Sequence, residues 1–160
     1  MNVELAFIKT EKIDNIIDNI KERLVSLPDT FGTQPDVGIP NSYDSILAIE
    51  NNRKIAVSQV SKGWISIIES KEVNDYKLLL DLSVNIQTEV IGIVLSEVTG
   101  NYGYVEINAG KVMSLFHSEQ EEIDEEVINN LLLDKQINIP IYMFREVASN
   151  KNLGWQIIKK

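Results

Sequence analysis

The chain predicts an α+β fold, a largely antiparallel sheet with about three helices. Three observations carry that expectation. Short runs at 3–7, 54–60, 64–69 and 89–98 are rich in β-branched and alternating apolar residues, as strands are. Three longer stretches, at 13–24, 76–86 and 123–132, space their apolar residues at three and four, the helical period. Asn and Gly stand between consecutive strand runs, where tight hairpin turns need them.

The elements follow in order. Val3, Leu5 and Phe7 share one face of a first strand, with Glu4 and Ala6 on the other. Thr10 caps the next helix, whose face of Ile13, Ile16, Ile17, Ile20 and Leu24 ends near Leu27-Pro28. Residues 28–44 hold three of the four prolines and two of the eight glycines. Such a stretch opposes both helix and ladder and reads as a surface loop. Ser45–Glu50 and Lys54–Val60 form a hairpin around Asn51-Asn52, and Trp64–Glu69 is the next strand. A second helix presents Tyr76, Leu79, Leu80, Ser83 and Ile86, capped by Asn74 or Asp75. Glu89–Val98 is apolar on both faces and reads as a central strand. Turns at Thr99-Gly100-Asn101 and Asn108-Ala109-Gly110 then join it to Tyr102–Ile107 and Lys111–His117 as a meander. Ser118 and Glu121 have the spacing of a capping box for a third helix, whose stripe is Ile123, Val127, Ile128, Leu131 and Leu132. Ile137–Phe144 is β-like, with Pro140 marking an edge or a break, and Gly154–Ile158 is a last strand. Strand, helix and hairpin at 3–60 return as strand, helix and meander at 64–118. That order fits a duplicated strand–helix–hairpin unit with the helices on one sheet face; short α+β chains also produce such orders by coincidence.

Composition narrows the functions. At 160 residues a single domain, 1–160, is expected. Cysteine is absent, which excludes disulfides, thiol catalysis and Cys-held metal. The N-terminus lacks a basic, then long apolar, leader and no apolar run reaches about 20 residues, so neither secretion nor a bilayer span is expected. A cytoplasmic location follows. With 24 acids against 15 bases, the net charge opposes nucleic acid and anionic membranes as partners. His117 is the single histidine. No Gly-x-Ser-x-Gly elbow accompanies it and it cannot build a multi-His metal site, so it reads as structural or solvent-facing. Phosphate-loop spacings are missing. Gly100-Asn101-Tyr102-Gly103 has a Gly-x-x-Gly spacing but reads as a hairpin turn between strands. Glu69, Asp75 and Glu97 lie near element ends, where acid–base pairs form, yet nothing singles them out. No catalytic residue, metal or cofactor is assigned.

The acids concentrate in one place. Six of the eight residues from Glu119 to Glu126 are carboxylates. They lack the Gly turn and alternating ligands of a calcium loop. A helix start explains about half of them, because only the first turn feels the macrodipole strongly. Glu122, Asp124, Glu125 and Glu126 remain as the surplus, a candidate surface for a basic protein partner.

Two resemblances add to this reading. The stretch from Gly63 to Ser118 carries Gly63-Trp64-Ile65-Ser66-Ile67-Ile68-Glu69-Ser70, Leu79 to Ser83, a Tyr102/Tyr104 strand, Gly110 and Phe116-x-Ser118. About a third of the chain thereby resembles a set of small bacterial proteins without established activity, so it lends no functional residue. In composition the chain (small, acidic, cysteine-free, α+β) is similar to bacterial immunity proteins, which neutralise partner toxins. The expectation is a non-enzymatic protein-binding domain, an immunity-type inhibitor of a basic toxin. The alternative is a small-molecule binder or enzyme with a carboxylate-lined site near the 28–44 loop.

Overall fold

Alternation at the N-terminus builds β1 (Asn2–Lys9). The Thr10 hydroxyl then accepts the Lys12 backbone N–H at 3.0 Å and turns the chain into α1 (Ile13–Ser26). β2 (Lys54–Val57) and β3 (Trp64–Glu69) follow, then α2 (Tyr76–Ile86). β4 (Glu89–Ser96), β5 (Asn101–Asn108) and β6 (Lys111–Glu119) complete the meander. Ala109 and Gly110 both have positive φ, 45° and 80°, the twist a two-residue hairpin turn requires. α3 (Glu125–Asp134), a short α4 (Phe144–Ser149), a 3-10 turn and β7 (Gln156–Lys159) end the chain. The structure, a computed structural model, describes residues 2–26, 54–70, 76–119 and 124–159. The 28–44 loop, the Ser45–Glu50 strand, Asn51-Asn52, the Asn74/Asp75 cap, Glu121, Glu122 and Ile123 lie outside the described residues.

The seven strands form one sheet in the order β6-β5-β4-β1-β3-β2-β7. Every neighbouring pair is antiparallel, as the α+β reading requires. β4 lies inside the sheet, between β5 and β1, as its two apolar faces demand. The midpoint strand is β1. Both β1-α1-β2 and β3-α2-β4 join two parallel strands with a strand of the other unit between them. The order β4-β1-β3-β2 is the split β-α-β arrangement of ferredoxin-like folds. The repeated unit is therefore strand–helix–strand, interleaved, rather than strand–helix–hairpin. β5 and β6 extend one side of this core and β7 the other.

Helices cover both faces of the sheet, not one. On the first face, Ile16, Ile20 and Leu24 of α1 and Leu78 and Leu82 of α2 pack on Ala6, Ile8, Ile65 and Val90. On the second, Ile128 and Leu131 of α3, Ile137, Ile139 and Val147 pack on Leu5, Phe7, Ile91 and Ile93. Alternation in β1 feeds the two cores in turn, so each strand residue meets one helix layer only. All of these side chains are buried, and each one larger than Ala6 contributes roughly 1.5–3 kcal/mol of transfer free energy.

The segment from Ile137 departs from its β-like reading. Residues 137–143 join no ladder, and Phe144 opens α4. The edge beside β2 is filled by β7, with Ile157 opposite Ala56. Pro140 lacks an N–H for a ladder and is exposed, while Ile137 and Ile139 are buried against the sheet. The segment is a covering strap whose apolar spacing imitates a strand. Two strand ends also fall short of expectation. β4 stops at Ser96, leaving Val98 exposed in a turn. β2 stops at Val57, after which the Ser58 hydroxyl accepts the Ser66 N–H at 2.8 Å.

Candidate functional site: an acidic helix start and an apolar groove

Asp124 sets the start of α3. Its Oδ1 accepts the Glu126 backbone N–H at 3.1 Å, satisfying one of the orphan donors of the first turn. The cap therefore falls six residues later than Ser118. Ser118 belongs to β6, opposite Tyr102, because the strand runs two residues past His117 and absorbs the expected cap. Asp124, Glu125 and Glu126 stand together on consecutive exposed positions; Glu122 lies outside the described residues. The helix start thus falls among the carboxylates counted as surplus, and their first-turn position suits the macrodipole. Glu125 also rims a cleft of about 310 Å³ between α3 and the strap, lined by Ile128, Leu132, Ile139, Pro140 and Ile141.

A larger groove, about 590 Å³, opens on the first sheet face beside the start of α2. Its floor consists of two rows across β1, β4, β5 and β6. One row is Glu4, Val94, Gly103 and His117; the next is Gly92, Val105 and Leu115. Gly92 and Gly103 stand diagonally in adjacent strands and leave two positions of the floor without side chains. Tyr76, Leu79, Val94, Val105 and Leu115 supply apolar walls. The groove lies within the range of small-molecule sites, roughly 300–1,000 Å³. Gly103 serves a second purpose. A Cβ there would lie 2.2 Å from the Phe116 carbonyl oxygen, so only glycine lets β6 approach this closely. Gly103 is thus the third residue of β5 and not part of a hairpin turn. On the opposite face Phe116 packs on Tyr104 and Tyr102, with ring centroids 5.8 and 5.7 Å apart.

The polar groups of the groove are spread out. His117 is exposed in β6, and Glu4 lies three strands away in the same row. At about 4.8 Å per strand the two backbones are about 14 Å apart, too far for direct proton exchange. Glu69 is buried on the same face as Glu4. The β1–β3 register, Leu5 opposite Ile68, carries Glu69 level with Glu4. Glu97 is exposed in the turn after β4, and Asp75 lies outside the described residues. Among the described residues no group of three or more His, Asp or Glu side chains could hold a metal ion. No described helix is long and apolar enough to cross a membrane.

A third polar cluster ties α3 to the sheet. Lys135, just past the helix, hydrogen-bonds Glu89 of β4 and reaches Glu106 Oε2 of β5 at 2.7 Å. Lys9 approaches Glu89 at 3.8 Å. Burial alone would lower the Lys135 pKa. Hydrogen bonds to Glu106 and Glu89, with their charges, outweigh it and raise the pKa above 10.5.

Sequence reasoning found the acids but missed the groove. Its signal was legible: two glycines inside strand patterns, where glycine marks a bulge or a close approach. Comparison of the chain with protein-family models, with curated proteins and with solved structures finds no match.

Proposed function

We propose that this chain is a non-enzymatic, cytoplasmic protein-binding domain of the immunity type, which holds a basic partner, a toxin, at the start of α3. The observation that carries the reading is the juxtaposition of Asp124, Glu125 and Glu126 with the apolar cleft below Glu125. An apolar pocket seats an anchoring side chain, and charges at its rim steer the partner and fix its register. The carboxylates act through association more than through final affinity, since exposed charges are screened beyond about 8 Å at physiological salt.

The test is a variant carrying Asp124→Asn, Glu125→Gln and Glu126→Gln. Asn keeps a capping side chain, so the helix start survives. The partner captured from the native host is titrated against both forms and its association followed by stopped flow. Wild type should associate roughly tenfold or more faster at low salt, and the advantage should shrink as salt rises. Equal rates and equal affinities for the two forms would sink the reading.

A second reading is favoured by the groove on the first face. Its size, its apolar walls and the nearby Glu4 and Glu69 suit a small molecule with an apolar body. Val94→Phe narrows this groove without touching α3. Loss of binding of an apolar fluorescent probe in that variant, with the α3 variant unaffected, would move the function to the groove.

A further inference from the structure

Polarity changes in steps across the floor of the groove on the first face. Side chains two apart in a strand share a face, so Ser96, Asn101 and Glu119 form a polar row beside Val94, Gly103 and His117. The row of Val94 holds Glu4 at one end and His117 at the other. The row beyond it, Gly92, Val105 and Leu115, has no polar side chain. On the wall, Tyr76 opens α2 and Leu79 follows one turn later. Tyr76 is 48% exposed and Leu115 71% exposed, so an aromatic face and an apolar one are both open to a ligand.

Charge selects the occupant. Among the described residues, no lysine or arginine lines the groove. Lys77, next to Tyr76, lines the cleft on the other flank of α2, with Asn19 and Glu22 of α1. Glu4 is a partly buried carboxylate, and the exposed Glu119 lies one row away from His117. A partly buried carboxylate attracts a cation more strongly than an exposed one, because less water screens it. The face of a tyrosine adds cation–π attraction. A carboxylate has about four acceptor sites, so Glu4 serves a ligand alongside its contacts within the protein. An anionic head would meet two carboxylates and no compensating lysine or arginine.

We propose that the groove binds a small organic cation with an apolar body, an aryl-alkyl amine. Its ammonium lies at Glu4 and Tyr76, and its body lies along Val94, Val105 and Leu115. This ligand class rests on the small-molecule reading of the groove, to which it adds a charge and an orientation. The groove is on the sheet face opposite α3, so the site is independent of the acidic helix start.

Three probes with one apolar body test it: phenylbutylamine, phenylbutanol and phenylbutyrate, which are cationic, neutral and anionic near neutral pH. Each is titrated into the isotope-labelled full chain, and the amide resonances of Gly92, Gly103 and Val105 report on the groove. The amine should bind about tenfold more tightly than the alcohol, and the butyrate more weakly than either. Glu4→Gln keeps the side-chain shape and should bring the amine to within about threefold of the alcohol. Tyr76→Leu, at a half-exposed helix start, should weaken the amine about threefold and leave the alcohol unchanged. Val94→Phe should weaken all three probes. An alcohol or butyrate that binds as tightly as the amine overturns the cation assignment and leaves the groove reading standing. Failure of all three probes to shift the groove amides overturns both. An amine preference that survives Glu4→Gln and Tyr76→Leu belongs to another place on the protein and also overturns the proposal. If Glu4→Gln does not fold, as its urea midpoint will show, the probe series on wild type and Tyr76→Leu still decides.

Discussion

Replacing Lys135 by methionine removes the cation between two carboxylates on neighbouring strands while keeping most of the side-chain volume. In the wild type, Lys135 bonds both Glu89 and Glu106. The Lys135 side chain is 28% exposed, and the two glutamates are 18% and 16% exposed. Fully buried ion pairs lose about 3–5 kcal/mol when one partner is removed. Exposed pairs lose at most about 1 kcal/mol. The glutamates are mostly buried but keep a solvent path, and Lys9 still faces Glu89 at 3.8 Å. The expected loss is therefore about 2 kcal/mol, most of it from Glu106. For a chain of this size that is a fall in Tm of about 4–8 °C. Urea unfolding should show a lower midpoint with an unchanged slope. Adding Glu106→Gln to Lys135→Met should recover about half of the loss, because the stranded charge is gone. A loss below about 0.5 kcal/mol, or no recovery in the double variant, would refute this account of the clamp. The sign with pH follows from the raised Lys135 pKa. Its stabilisation is fully present below the unfolded lysine value of about 10.4 and disappears as pH rises through the higher folded value. Lys135→Met should therefore flatten the alkaline limb of the stability curve.

Gly103→Ala should cost about 2–4 kcal/mol, because its Cβ meets the Phe116 carbonyl oxygen at 2.2 Å and the strand must shift; an unchanged urea midpoint would remove the close approach as the reason for glycine. Asp124→Ala should destabilise by about 1 kcal/mol and Asp124→Asn by much less, read by thermal melts; equal losses would mean that the cap is not what the carboxylate contributes. Ser66 is buried in β3 and its hydroxyl has no partner among the described residues, so Ser66→Ala should be neutral or stabilising by up to about 1 kcal/mol. A clear loss of stability in denaturant titration would show that the hydroxyl is engaged.

The inner strands of the sheet were legible because each buries at least one face. Trp64–Glu69 and the turn at Asn108-Ala109-Gly110 stand where periodicity and turn chemistry place them. Two features were not legible, each for a physical reason. Ile137 and Ile139 alternate as strand residues do, but alternation records only which side chains are buried, and a strap pressed on a sheet buries the same set as a paired strand. Ser118 has the right spacing for a capping box, but whether it caps depends on where β6 stops pairing with β5. That is a tertiary fact, fixed by Tyr102 opposite Ser118. The acidic run was visible in composition, and the observed cap is Asp124 rather than Ser118. The groove depends on which strand glycines come to lie diagonally on one face, and sheet order decides that.

The central position of β1 has a consequence for synthesis. Its two neighbours are β3 and β4, both made long after it. Until Ser96 has left the ribosome, Asn2 has no partner in its ladder. Val3, Leu5 and Phe7 must wait for the far half of the second core, α3 and the strap. At about 5–20 residues per second that wait lasts on the order of ten seconds or more. The nascent chain therefore presents the apolar face of β1 before any mate exists, and a chaperone acting on this protein should engage that strand.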